Sequence, residues 1–306
     1  MTDANRRVRE TGASAHAPRL EQDSAMPELQ RSPDIAIHYE IDDFTDPWAD
    51  RPYLLLQHGN GRSGRFWYRW IPYLSRFYKV IRPDMRGLGG SAGRLNLDRD
   101  ITLDALVGDL VALLDHLGAE TVHYCGESMG GILGLALAAR HPGRVRTLTL
   151  VGTPVFIEDA MKQRYAMGHG SRVEAMQELG IRDWVEATTR GTRLPADDEP
   201  GLFDWYVEEF IKGDADVQVA MSRLVNSADA SSFLPAVTCP VLGLYPTAGQ
   251  ITSDAQEEML KTHLADFEIV HLPTGFHMVQ LLYPKTCTAR ILEFCARHDG
   301  DLPQDA

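Results

Sequence analysis

Two residues of this chain have the type and setting for covalent chemistry on a carbonyl group: Ser128 and His277. Ser128 stands in Gly126-Glu127-Ser128-Met129-Gly130, after an apolar stretch (residues 121–125) that reads as a short buried strand and before a stretch (132–140) that reads as a helix. A G-x-S-x-G turn with a strand before it and a helix after it carries its serine at the apex of a sharp bend. The backbone at that apex is strained, and only glycine at the flanks lets strand and helix approach. The bend exposes the hydroxyl, and the helix N-terminus behind it favours negative charge developing on a substrate. Such a nucleophile needs a base. His277, in Thr274-Gly275-Phe276-His277-Met278-Val279, follows the last predicted strand and precedes the last predicted helix. An isolated loop histidine is often structural, but this order and context suit a general base for Ser128.

The elements that must position these residues are legible as alternating segments. Residues 35–44 alternate apolar and polar, as in a half-buried strand, and 53–57 form the continuous apolar run of a strand covered on both faces. Residues 78–82, 145–151, 240–245 and 267–272 read as further strands. Helical spacing appears over 66–77, 253–264 and 284–297, and over 101–117, where Leu103, Leu106, Val107, Leu110, Leu113 and Leu114 share a side. Strands alternating with helices predict an α/β class chain, with a mainly parallel central sheet flanked by helices. Residues 154–234 differ: charged residues mix with Trp184, Phe203, Trp205, Tyr206 and Phe210 at helical period. That block reads as a helical cap inserted over the carboxyl ends of the strands, where such sheets place ligands. The expected organisation is a disordered tail at 1–32, a core at 33–153 and 235–299, and a cap at 154–234.

At 306 residues the chain can hold one large domain with an insertion. Its net charge of −13 argues against a nucleic-acid partner or an anionic membrane surface. No apolar run is long enough to span a bilayer, and the first 30 residues lack the apolar middle of a secretory signal. Cys125, Cys239, Cys287 and Cys295 have no metal-ligand spacing and read as reduced thiols of a cytoplasmic protein. A small-molecule substrate is expected, with no metal and no cofactor.

His58-Gly59-Asn60-Gly61, Asp84-Met85-Arg86-Gly87-Leu88-Gly89-Gly90-Ser91, Gly126-Glu127-Ser128-Met129-Gly130-Gly131 and Gly275-Phe276-His277 occur in this order. In these motifs the chain resembles the α/β-hydrolase superfamily, in the branch with an inserted helical cap, over about residues 33–297. The resemblance implies the α/β-hydrolase fold and an oxyanion hole made by the backbone N–H groups of Asn60 and Met129. Each such donor is worth on the order of 2.7–4 kcal/mol of barrier. Asp84 and Arg86 are expected to brace a loop beside the site. Arg62 could clamp a substrate carboxylate, but a solvated surface arginine is the favoured expectation.

The third member of the family's triad is missing from its usual place. An Asp is expected after the strand at 240–245, and Gly249 stands there; the alternative position, after the preceding strand, reads Val151-Gly152-Thr153. Asp254 reads as a first-turn helix residue beside a Thr252 or Ser253 cap, and Glu158 and Asp159 lie at the start of the inserted block. Glu127, next to the serine, is expected to point away from it. Loss of the acid from a related triad costs about 10⁴ in turnover, so its absence is a real departure. A Ser–His dyad helped by a backbone carbonyl, a water or a cap carboxylate is the leading expectation.

The expected function is a serine hydrolase that cleaves a small, apolar or aromatic carboxylic ester through an acyl-enzyme. Trp184, Trp205, Tyr206 and Phe210 would suit such a substrate, or would pack the cap's own core. The alternatives are a carbon–carbon bond hydrolase of a vinylogous diketone and an amide, carbamate or lactone hydrolase, all using Ser128 and His277. A non-catalytic ligand receptor is the remaining reading, since fold alone does not imply activity.

Overall fold

The apolar runs pair into one sheet. A computed structural model of the chain describes residues 27–91 and 93–300. Its strands are β1 (Glu28–Ser32), β2 (Ile35–Asp42), β3 (Tyr53–Gln57), β4 (Lys79–Pro83), β5 (Val122–Glu127), β6 (Val145–Val151), β7 (Val241–Pro246) and β8 (Phe267–Leu272). They lie in the order β1-β2-β4-β3-β5-β6-β7-β8, with β1, β2 and β4 joined antiparallel and every pairing from β4 to β8 parallel. The expected class, a mainly parallel sheet with flanking helices, is the architecture found.

The helices of eight or more residues are, in chain order, α1 (Leu103–His116), α2 (Met129–Arg140), α3 (Asp159–Ala166), α4 (Arg172–Leu179), α5 (Ile181–Thr192), α6 (Pro200–Phe210), α7 (Ala215–Ser227), α8 (Asp254–His263) and α9 (Pro284–Asp299). Both faces of the sheet are covered, which is why its strands read as unbroken apolar runs. Leu55, Tyr124, Leu148 and Leu150 pack on one face with Leu113 of α1 and Leu135 of α2. Leu54, Leu56, Cys125, Val151, Leu242 and Leu244 point to the other face, against Ile291 and Phe294 of α9. Alternate residues of one strand thus enter different cores, the period of two that a strand imposes.

Three expectations change. Glu28–Ser32 is not tail: it pairs antiparallel with β2 as a short edge strand, Leu29 opposite Ile37. The rest of the expected tail, residues 1–26, lies outside the described residues. The helix expected over 66–77 is two separate turns, Gly64–Trp67 and Ile71–Leu74, the second with Pro72 in its first turn. Pro72 lacks the N–H that a continuous helix would need there. Finally, α2 begins at Met129, directly after Ser128, rather than at residue 132.

Helices α3 to α7 all lie between β6 and β7. At the opposite turn of the topology, β3 has β4 on one side and β5 on the other, with Gln57 level with Gly126. The order in which strands join the sheet reverses there, so the loops leaving β3 and β5 diverge and leave a crevice at the strands' carboxyl ends. Both motif loops, 58–63 and 126–131, leave from this point.

Candidate active site

Ser128 joins β5 to α2 with φ 53° and ψ −117°, a conformation that L-residues rarely adopt. Among the described residues only Met167 shares a positive φ without being glycine. Backbone strain of this kind costs on the order of 1–3 kcal/mol and persists where its surroundings over-determine it. Ser128 N–H donates to Val151 O at 3.0 Å, and Ser128 O accepts from Gly131 N–H at 2.9 Å, so both arms of the turn are tied. The flanking glycines are needed for space. A Cβ on Gly126 would lie 2.3 Å from the Gly130 carbonyl carbon, and one on Gly130 would lie 2.3 Å from Gln57 O.

His277 follows β8 and is buried. Its loop is held from across the site: His277 N–H donates to Thr192 O at 3.0 Å, and Met278 N–H donates to Arg193 O at 3.2 Å. The end of α5 therefore fixes where the imidazole sits. Ser128 and His277 line one cavity of about 30 Å³, together with Asn60, Arg62, Tyr165, Arg172 and Arg193. A larger pocket of about 890 Å³ also includes Arg62, yet it reaches neither Ser128 nor His277. The smaller cavity is where the reactive groups converge, and that convergence outweighs size as a guide.

The loop after β3 is pinned from several sides. His58 accepts from Met85 N–H at 2.9 Å through Nε2, and its Nδ1 lies 2.8 Å from Gly59 O. Asp84 accepts from Gly64 N–H at 2.6 Å and Gly90 N–H at 2.7 Å, and it contacts His38 Nδ1 at 2.9 Å. Arg86 reaches Asp109 with two hydrogen bonds, at 2.9 and 2.6 Å. Asp84 and Arg86 thus brace loops, as expected. The backbone N–H groups of Asn60 and Met129 have no acceptor among the described residues, and the Asn60 carboxamide is buried with neither end paired.

The carboxylate beside the histidine is not where the family pattern sought it. Glu127 Oε1 lies 3.1 Å from His277 Nε2. The contact is an ion-pair distance without hydrogen-bond alignment, since Oε1 has no partner of that geometry. Glu127 Oε2 accepts from Gly59 N–H at 3.1 Å and from the Arg62 guanidinium, whose other arm donates to Tyr206 OH at 3.0 Å. Two expectations fall here. Glu127 does not point away from the site, because its Oε1 comes within 3.1 Å of His277 Nε2. Arg62 is not a solvated surface residue: it is 4% exposed and neutralises Glu127.

Charge follows from these contacts. Burial works to raise the Glu127 carboxyl, but Arg62 and His277 outweigh it and hold the group at about 2. Burial lowers His277 below its ordinary value, against the pull of Glu127 upward. At neutral pH the site therefore holds a neutral imidazole beside an ionised carboxylate.

The other acid candidates are committed elsewhere. Glu158 accepts from Ser253 Oγ at 2.5 Å and Gln256 Nε2 at 2.9 Å. Asp254 opens α8, with Ser253 as the cap. Gly152 does touch the histidine: a Cβ there would lie 3.0 Å from His277 Nδ1, at a φ of +52°. Of the four aromatics expected to meet a substrate, Trp184, Tyr206 and Phe210 are buried against one another and against Tyr165 and Phe66. Arg172 and Arg193 carried no sequence signal, because nothing in their neighbours marks an arginine that will be buried.

A family model described as "alpha/beta hydrolase fold" matches residues 52–187. The 3-oxoadipate enol-lactonase 2 of Acinetobacter baylyi is 27% identical over 233 residues, covering 76% of this chain and 82% of that protein. Strigolactone esterase D14 of Arabidopsis thaliana is 26% identical over 249 residues, covering 80% and 91%. Among solved structures, the enol-lactonase of Burkholderia xenovorans superposes with a TM-score of 0.74 at 25% identity, over 86% of this chain and 97% of that one.

Proposed function

The chain belongs to the α/β-hydrolase superfamily, and from that premise we propose that it is a serine hydrolase of a small carboxylic ester or lactone. The observation that carries this reading is the convergence of Ser128, in its strained turn, and His277 on one cavity. Ser128 Oγ attacks the carbonyl carbon while His277 takes the hydroxyl proton. The carbonyl oxygen becomes an oxyanion within reach of the Asn60 and Met129 N–H groups, which face no competing acceptor. The protonated His277 then gives its proton to the leaving oxygen, and the carbon–oxygen bond breaks. Water repeats the sequence on the acyl-enzyme and releases the acid.

Glu127 supplies negative charge in this scheme rather than the triad acid's aligned bond to Nδ1, because it faces Nε2 out of hydrogen-bond alignment. The imidazole is neutral before reaction and cationic during it, so a carboxylate 3.1 Å away stabilises the charged stage more than the resting one. Helices α3 to α7 act as the cap, and Tyr165, Arg172 and Val225 bring that block to the cavity. Relatives named for lactone and ester hydrolysis support the class of bond. Of the residues behind the expected apolar or aromatic substrate, Trp184, Tyr206 and Phe210 pack among themselves, while Trp205 lines the larger pocket of about 890 Å³.

Ser128→Ala should lower turnover of short 4-nitrophenyl esters by on the order of 10³ or more while leaving the thermal melt cooperative. A fluorophosphonate should label the native chain at Ser128 alone. Retained turnover in the alanine variant would sink the mechanism.

A further inference from the structure

Three guanidinium groups and one carboxylate line or adjoin the Ser128 cavity, and Arg62 already takes the carboxylate. Arg172 and Arg193 are 3% and 4% exposed, and neither has a carboxylate partner among the described residues. Arg172 Nε is buried without a hydrogen bond. What holds these two side chains is aromatic. The Arg172 guanidinium sits 5.0 Å from the Tyr165 ring and 4.7 Å from Trp184, and that of Arg193 sits 5.0 and 5.4 Å from the same rings. Arg193 also donates to Thr188 Oγ1 at 2.7 Å and Thr189 Oγ1 at 3.2 Å.

Two unpaired cations under one roof are expensive. Burying a charge without its counter-ion is costly, and contacts with ring faces offset only part of that cost. Burial and the neighbouring Arg193 and Arg62 push Arg172 down to about 9, so it still carries its charge at neutral pH. A site built this way is incomplete without an anion.

We propose that Arg172 and Arg193 form a carboxylate-binding subsite, and that the substrate is a half-ester of a small dicarboxylic acid or a lactone that carries a free carboxylate. The proposal rests on the serine hydrolase reading for the reaction, while the binding of an anion stands apart from it. Guanidinium forks match a carboxylate in two parallel hydrogen bonds, and the aromatic rings hold them flat for it. With the free carboxylate clamped there, the ester carbonyl a few atoms away reaches Ser128. The closed cavity of about 30 Å³ has room for one or two water molecules, so the ligand enters with movement of the cap segments that bear the two arginines.

The test compares monoethyl succinate with ethyl butanoate, which has a methyl where the half-ester has a carboxylate, by acid release. The native enzyme should favour the half-ester in kcat/KM by about 10- to 100-fold, the worth of one or two charge-assisted hydrogen bonds. Arg172→Met and Arg193→Met should each remove about 10-fold or more of that ratio, mainly through KM, with Arg172→Lys restoring part of it. Circular dichroism checks that each variant folds; should one fail, the other and the native selectivity still decide. Calorimetric titration of Ser128→Ala with succinate separates the two readings. Succinate binding that Arg172→Met abolishes supports the subsite even if neither ester is turned over, in which case the hydrolase reading alone fails. Turnover of ethyl butanoate at an equal or higher rate, with no succinate binding, overturns the subsite and leaves the hydrolase intact.

Discussion

At the residue scale the unusual feature is Glu127, a carboxylate adjacent in sequence to the proposed nucleophile and in contact with the proposed base. Family-pattern positions for the acid hold Gly249 and Gly152, and the second lies against the same imidazole. Here a carboxylate reaches His277 from the turn that bears Ser128, held by Arg62 and Gly59 N–H. Glu127→Gln keeps the shape and removes the charge. It should reduce kcat, by less than the about 10⁴ that loss of an aligned triad acid costs. Because Glu127 raises His277, its removal should also move the acid limb of the kcat/KM profile to lower pH. A variant with the native profile and rate would show that Glu127 only balances Arg62.

At the element scale the site depends on loops that carry little apolar contact of their own. Asp84, at the end of β4, holds the start of the Gly64–Trp67 turn and the Gly90 backbone through two short hydrogen bonds, with His38 of β2 behind it. One buried side chain thereby joins two strands and two loops. Asp84→Ala leaves two N–H groups without an acceptor, and should destabilise the fold by about 2–5 kcal/mol in urea unfolding. Turnover should fall too, since the loop bearing Asn60 loses its brace. A loss below about 0.5 kcal/mol, the size of an ordinary surface substitution, would contradict this account. The other end of the site has a different anchor: the carbonyl of Thr192, the last residue of α5, and that of Arg193 after it accept the His277 and Met278 N–H groups, so the proposed cap and base are linked through backbone.

At the scale of the whole molecule the ionised groups set an acid limit on stability. Glu127 is lowered from 4.5 to about 2, and Asp299, bound to His123, Arg146 and Tyr78, is lowered from 3.8 to about 2. Each adds stability that is present above its unfolded value and is lost as pH falls toward about 2. His277, lowered from 6.5, acts in the same direction: the fold resists its protonation, so its contribution is complete above 6.5 and declines as pH falls through the lowered value. His38 is raised by its bond to Asp84 and opposes the others, its share being lost as pH rises. Urea midpoints should therefore fall between pH 5 and pH 3, where both carboxylates lose their contribution, while His277 and His38 oppose each other between pH 7 and 5. A midpoint that holds down to about pH 3 would refute the assignment.

Most of the fold was legible because local periodicity and burial agree in a parallel sheet. Apolar runs such as Leu54–Leu55–Leu56 must be covered on both faces, whatever covers them. Edge strand β1 leaves no period in the sequence, since a half-exposed strand of five residues, mostly polar, carries too few apolar positions. The aromatic spacing across 66–77 is helical, but Pro72 interrupts it.

The sequence by itself determined the nucleophile turn, because the steric demand of a tight strand-to-helix bend writes glycines at set offsets from the serine. It also determined the order of the loops that meet at the strand ends. Tertiary structure alone decided what surrounds them. Glu127 turns toward His277 and Arg62 is buried by Tyr206, while Arg172 and Arg193 come to the same cavity from α4 and the end of α5. Electrostatic partners act through space at 3 to 5 Å, and no spacing along the chain records which distant charges a fold will bring that close.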